Sequence, residues 1–437
     1  MAIDKGFFAS GIFSISNNLI NVILRFLSFF VIIRSLTKDQ FGAWALFLVV
    51  TSIIEVTRNG FIKNAAIKFI ASSPIKDHKQ IQTASLVLNT VITVISVGFI
   101  LLVSNKLAHY WNAQEINSMF NWYILTAFFL IFLSHIEFVG AANFKFKHIF
   151  FFNAARNLSF LGFVVFDFFS PQPQQLNMLV LYQGLSAGIG LLVAVLLLKS
   201  SILLGSSYSK FWIKKLFHFG KYVVGTNLST MIFKNTDQLM LGSIMTTQSV
   251  AVYSTALRIN NFIDAPVMGI SNVFYTHSSN KGQSKFKDIY INSVGIIMSI
   301  IVPALVITFL FADTIIFLIA GQDYVESAGI LRVTMLYSFF IPFSRQFGTL
   351  LDSIGKPHIN LRLTIISSII NLFFSYLGII KFGVIGAAYG TLLTYITSFI
   401  IIQVYLHINY KIVIIDIFKA SIKNYAWLLK NVMRKLG

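Results

Sequence analysis

The stretch FFASGIFSISNNLINVILRFLSFFVII (Phe7–Ile33) runs for 27 residues with a single charge, Arg25. About 20 apolar residues cross a bilayer as a helix, so this stretch is long enough to span. It is too long for a signal-peptide core and lacks a small-residue cleavage pattern. Its Ile, Val and Phe would favour a strand in water. In lipid, an open sheet leaves edge N–H and C=O groups unsatisfied, so the helix wins. Asn18, Asn21 and Arg25 then fall at i, i+3 and i+7 and form one polar stripe on that helix.

The rest of the 437-residue chain has the same character: 56% of it is hydrophobic, 15% aromatic and only 11% charged, with a mean hydropathy of +0.77. Soluble proteins are typically about 25% charged. This composition excludes a soluble globular enzyme, a disordered chain and a fibrous protein. Cysteine is absent, so neither disulfides nor thiolate metal sites arise.

Twelve apolar stretches are long enough to span. The first six are Phe7–Ile33, Phe41–Phe61, Ile81–Val103, Met119–Ala142, Phe150–Phe169 and Met178–Leu198. The second six are Tyr222–Met245, Val250–Phe274, Ile289–Phe311, Ala328–Leu351, Ile359–Ile380 and Phe382–His407. The expected fold is an all-α polytopic membrane protein with twelve transmembrane helices in two parallel six-helix repeats around a central cavity. Residues 1–199 form an N-terminal six-helix lobe and 200–220 a cytoplasmic amphipathic linker. Residues 221–408 form the C-terminal lobe and 409–437 a basic cytoplasmic tail. In the linker, Phe211, Trp212, Leu216 and Phe219 alternate with Lys210, Lys214 and Lys215. That pattern suits either an anionic leaflet or a merely solvated, topology-setting segment.

Lys plus Arg number 34 against 15 acids, a net charge of +19. Placement argues against nucleic acid as the reason. With the N-terminus cytoplasmic, 22 cations fall on cytoplasmic segments and 4 on outer ones, the remaining 8 lying inside spans. This is the positive-inside asymmetry, and one missed or invented helix would scramble it. Both termini are therefore expected inside.

Sliding the second half back by 209 positions matches Asn18 with Asn227, Leu19 with Leu228, Ile23 with Ile232 and Thr37 with Thr246. Trp44/Tyr253, Arg25/Lys234 and Glu55/Asp264 are like-for-like. Apolar identities would mean little. A cation and an acid matched at one offset indicate parallel repeats about an axis along the membrane normal.

A charge at mid-bilayer costs about 2.5–3.5 kcal/mol on insertion scales and usually faces a cavity or a partner. The eight cations within spans are Arg25, Arg58, Arg156, Lys234, Arg258, Arg332, Arg345 and Arg362. The acids are Glu55, Glu137, Asp237 and Asp264, with Asp167 near an outer end. A cavity lined this way is positive and favours an anionic cargo. Arg25, Lys234 and Arg258, with Asn18, Asn21, Asn227 and Arg58, are the candidate substrate-binding set. Asp264, Glu55 and Asp237 are the candidate ion-coupling acids. Each also has a structural reading. Glu55 with Arg58, and Lys234 with Asp237, sit at i,i+3 and can neutralise one another. Arg58, Arg156 and Arg362 are near enough to the cytoplasmic face to snorkel. The eight histidines lack metal-ligand spacing, no Walker A is present, and no cofactor is expected.

Three stretches carry a family likeness. IIRSLTKDQFGAWALFLVVTSIIEVTRNGFIKNAAIKFIA (Ile32–Ala71) combines a Phe-Gly turn with Arg58-Asn59-Gly60. NTDQLMLGSIMTTQSVAVYSTALRI (Asn235–Ile259) holds Asp237 and Tyr253, and FGVIGAAYGTLL (Phe382–Leu393) is rich in Gly and Ala. Together they resemble the Wzx-type oligosaccharide flippases of the polysaccharide-transport family, in the superfamily that also holds multidrug and lipid-linked precursor exporters. The resemblance implies two six-helix lobes alternating between inward-open and outward-open forms, with spans 1, 2, 7 and 8 lining the cavity. It implies a cargo of polyprenyl-pyrophosphate-linked oligosaccharide, such as an O-antigen unit, moved across a bacterial inner membrane. The resemblance also implies a polysaccharide polymerase and chain-length proteins as further partners. One departure stands out: span 1 contains no acid, where cation-coupled drug exporters of the superfamily often use one.

Two rival functions are a cation-coupled multidrug antiporter and a membrane glycan polymerase or acyltransferase. The first calls for a cavity with excess acid. The second calls for a large outer loop or a catalytic cluster, and neither is seen in the sequence.

Overall fold

The computed structural model describes residues 5–171, 174–205, 209–279, 286–354 and 356–424. Lys281, Lys285 and residues 425–437 of the expected tail lie outside them. Among the described residues the regular structure is helical throughout. The first half contains α1 (Lys5–Ser35), α2 (Lys38–Ser72), α3 (Ile75–Tyr110), α4 (Glu115–Ala142), α5 (Phe146–Phe168) and α6 (Leu176–Leu198). The second half contains α7 (Lys210–Ile244), α8 (Thr247–Ser279), α9 (Phe286–Leu310), α10 (Ala312–Ala320), α11 (Ser327–Ser338), α12 (Ile341–Ser353), α13 (Pro357–Phe382) and α14 (Val384–Tyr410).

Nine of these, among the described residues, are long and apolar enough to cross a membrane, and α11 with α12 makes a tenth as a pair bent by 44°. The expected count of twelve is therefore not reproduced by apolarity alone. At 35 and 33 residues, α7 and α8 are long enough to cross, but Lys234, Asp237, Arg258 and Asp264 dilute their hydropathy. The span expected as Ala328–Leu351 is broken after Ser338. Pro342 sits at the start of α12, where a proline is tolerated, and having no N–H it cannot bond the carbonyl of Ser338, where α11 ends. The segment expected outside, Ala312–Ser327, contains the short helix α10.

The chain divides into two compact units, Met1–Met231 with Thr246–Ala251, and Ile232–Met245 with Val252–Gly437. The divide falls inside α7 rather than at 220/221, where the linker was expected to end. Packing supplies the reason. Trp212 and Leu216 are buried in the first unit's core with Ile62, Ala66, Ile81 and Phe138, and Phe217 stacks on Phe61 with ring centroids 5.2 Å apart. The linker's apolar face thus belongs to the first unit, and its helix continues unbroken into span 7.

The Thr37/Thr246 identity gains a structural cause. Thr37 caps α2: its hydroxyl accepts from the Gln40 N–H at 3.3 Å, while the Gln40 side chain accepts from the Thr37 N–H at 3.1 Å. Thr246 sits at the same place before α8 and accepts from the Ser249 N–H at 3.2 Å. Such caps satisfy N–H groups that a helix start leaves unpaired.

In the second unit, α13 and α14 form a tight hairpin. Gly383 turns the chain at φ 65°, a left-handed conformation that favours glycine. Gly378 and Gly386 then face each other's backbone with no room for a side chain on either, the close small-residue approach that membrane helices use in place of a hydrophobic drive. The first part of the expected basic tail is docked in this unit. Ile412 and Ile417 are buried, Ala420 lies against Gly295, and Tyr410 stacks on Phe286 at 4.1 Å.

Candidate functional site

Each unit holds its own intramembrane charge cluster. In the first, the span-1 stripe is split in two. Asn21 is engaged: it donates to Asn17 Oδ1 at 3.2 Å and accepts from Asn157 Nδ2 at 2.5 Å, tying α1 to α5. Asn18 and Arg25 are surface-exposed. Arg25 is electrostatically coupled to Arg156 and Glu137, yet it forms no salt bridge among the described residues.

Arg58 does not snorkel. It is 1% exposed and its Nη2 pairs with Glu55, as the i,i+3 spacing allows. The Tyr123 hydroxyl donates to the other Glu55 oxygen at 2.9 Å. Arg58 Nε and Nη1 are buried without a partner, so the guanidinium is only partly neutralised. Glu137 accepts from Lys63 Nζ at 3.3 Å, and Arg156 is coupled to Glu55, Glu137 and Arg58. Four cations, Arg25, Arg58, Lys63 and Arg156, thus share this region with two acids. Arg156, Glu137 and Tyr123 were not among the candidate site residues. Their separation in sequence, on α4 and α5, hides that they converge.

The second unit repeats the theme with different partners. Lys234 on α7 is surface-exposed and coupled to Arg345 and Asp264. Asp264 accepts both Nη groups of Arg345, at 2.9 and 2.5 Å, a bidentate geometry specific to guanidinium. Lys234 forms no salt bridge among the described residues, so its expected neutralisation by Asp237 does not occur. Arg258 is half-buried on α8. Its neighbour Asn260 is tied to α11, its carbonyl accepting from Ser338 at 2.7 Å. Asn227 lies on the first-unit part of α7, close to Gly60 of α2.

Asp237 points elsewhere. It is 4% exposed and accepts from three hydroxyls: Ser375 at 2.7 Å, Thr391 at 2.6 Å, and Tyr253. Asn371 donates to Thr391 at 3.0 Å, leaving its own carbonyl oxygen buried and unpartnered. One carboxylate and three hydroxyls from α7, α8, α13 and α14 therefore gather in one buried cage, with the Asn371 amide behind Thr391. Such a set suits a hard monovalent cation or a proton. Among the described residues no group of three His, Asp or Glu side chains is placed to hold a metal ion. The cage was missed in the sequence, although Asn371 and Ser375 at i,i+4 in an apolar helix are a legible signal.

The fold is that of multidrug and lipid-precursor transporters. It matches the lipid II flippase MurJ in an inward closed conformation with a TM-score of 0.78 at 14% identity, covering 97% of this chain and 92% of that one. It also matches an inward-facing multidrug resistance MATE family transporter of the MOP superfamily, with a TM-score of 0.74 at 15% identity, covering 91% of this chain and 97% of that one. Residues 31–329 match the family described as polysaccharide biosynthesis protein, and the chain belongs to that family. A Haloferax volcanii protein named a low-salt glycan biosynthesis flippase, Agl15, is 23% identical over 197 residues, 44% of this chain and 42% of that protein. A Shigella flexneri protein named an O-antigen transporter is 24% identical over 197 residues, 44% of this chain and 46% of that protein. The chain thus matches less than half the length of these relatives.

Proposed function

We propose that the chain is a flippase that moves a polyprenyl-pyrophosphate-linked oligosaccharide across the membrane by alternating access. The observation that carries this reading is the pair of exposed cations at repeat-related positions, Arg25 and Lys234, each feeling both an arginine and an acid and neither in a salt bridge among the described residues. A diphosphate in a low dielectric is stabilised by such groups, while the prenyl tail stays in lipid. Arg25, Lys234 and Arg258 are the proposed headgroup site, with Asn18, Asn227 and Arg58 supporting it. Asp237, in its hydroxyl cage, is the proposed residue for a coupling proton or sodium, and Asp264 and Glu55 serve as ion-pair partners. The names of the Haloferax and Shigella relatives support a glycan cargo. A MATE-type drug antiporter has the same fold, but a cation-rich interior is poorly suited to cationic drugs. The proposed setting is a bacterial inner membrane with both termini cytoplasmic.

The test is a leaflet-resolved assay of lipid-linked glycan in cells carrying Arg25→Ala or Lys234→Ala. Transport should fall at least tenfold with normal membrane insertion. Full surface glycan in both variants would remove the basis for this assignment.

A further inference from the structure

The start of α7 and the end of α2 line an open groove of about 870 Å³ that no cargo role explains. Its walls are aromatic, with Phe69 from α2 and Phe211 and Phe219 from α7. Its rim is basic, with Lys214, Lys215 and Lys221. Phe211 is 63% exposed, and the three lysines are exposed too. Lys215 Nζ lies 4.5 Å from the Trp212 ring centroid and 4.8 Å from that of Phe69, and Lys68 Nζ lies 4.8 Å from Phe219. Among the described residues no acid lines the groove, and neither Lys214 nor Lys215 pairs with one.

Two environments are excluded by this composition. Bulk water disfavours the exposed phenylalanines, and the hydrocarbon core disfavours the ammonium groups. The boundary between them, the headgroup layer, suits both. Position agrees: the groove's α7 residues come after the segment that links α6, ending at Leu198, to α7, on the side to which the sequence assigns most cations. Lysines that only set topology need no aromatic-lined groove beneath them.

We propose that this groove binds one anionic phospholipid of the surrounding leaflet. Its phosphate is held by Lys214, Lys215 and Lys221, and its acyl chain lies along Phe69 and Phe211. The bound lipid fastens the first turns of α7 to α2. This does not depend on the cargo.

The test is native mass spectrometry of the full chain titrated with phosphatidylglycerol or phosphatidylcholine. Phosphatidylglycerol should be retained selectively. Each lysine near a membrane surface contributes about fivefold to anionic-lipid affinity, so Lys214→Gln/Lys215→Gln/Lys221→Gln should weaken binding about a hundredfold. The charge-matched triple Lys147→Gln/Lys199→Gln/Lys210→Gln, outside the groove, should stay near wild type. Should the groove triple not fold, Lys214→Gln alone should lose about fivefold. Equal loss in both triples, equal retention of the two lipids, or displacement by millimolar inorganic phosphate would each overturn the assignment.

Discussion

Glu55 and Arg58 form an ion pair whose members differ in their access to the surface. The side chain of Arg58 is 2% exposed and that of Glu55 26%. Removing the acid strands a buried guanidinium that already has two nitrogens, Nε and Nη1, without a partner among the described residues. Removing the base leaves a carboxylate near the surface with a tyrosine donor. Breaking a buried pair costs about 3–5 kcal/mol when a charge is left uncompensated. Glu55→Gln should therefore destabilise more than Arg58→Met, and the double variant should melt above Glu55→Gln alone. Thermal unfolding in detergent measures all three. At Asp237 the expectation is chemical. Asp237→Asn keeps an acceptor for the surrounding hydroxyls but loses the charge, so transport should lose its dependence on a sodium or proton gradient while the protein still folds. A gradient response equal to wild type would assign coupling elsewhere. Sequence spacing located both acids and foresaw the Glu55–Arg58 pair. It misassigned the partner of Asp237, because i,i+3 neighbours lie on one helix face while Ser375 and Thr391 arrive from 138 and 154 residues away.

Helices were legible where apolar length dominates and blurred where packing or one residue decides. The run Ala328–Leu351 reads as one span, but Pro342 breaks it and places Arg345 one turn into α12. The α13–α14 hairpin rests on glycines whose neighbours no local pattern reveals. Gly383→Ala must place a Cβ at φ 65°, costing about 1–2 kcal/mol, and should lower the melting temperature while leaving the hairpin intact. Gly386→Leu puts a side chain into the backbone of Gly378. It should yield protein that aggregates on extraction, as read by size-exclusion chromatography. A well-folded Gly386→Leu would show that the two helices separate more readily than their contact implies.

Across the whole molecule, charge distribution carries information that no single helix does. The repeat offset of 209 was visible because charged residues are scarce enough in spans for Arg25/Lys234 and Glu55/Asp264 to register. The acids kept an arginine partner in both units, while the partner's position changed from three residues away to another helix. Orientation rests on the same scarcity. With 22 cations on one set of connecting segments and 4 on the other, translocating the richer set would oppose the bias that retains Lys and Arg in the cytoplasm. The chain has no cysteine, so single cysteines report sidedness without background. Lys79→Cys and Lys356→Cys, on the basic side, should react with a membrane-impermeant maleimide only after cells are permeabilised. Gln114→Cys and Gln322→Cys, on the other side, should react in intact cells. Because α7 and α8 are long helices that are not among the nine apolar spans of the described residues, Gln322→Cys is the decisive position. If either helix failed to cross, every later segment would change side, and Gln322→Cys would label with Lys79→Cys instead of Gln114→Cys.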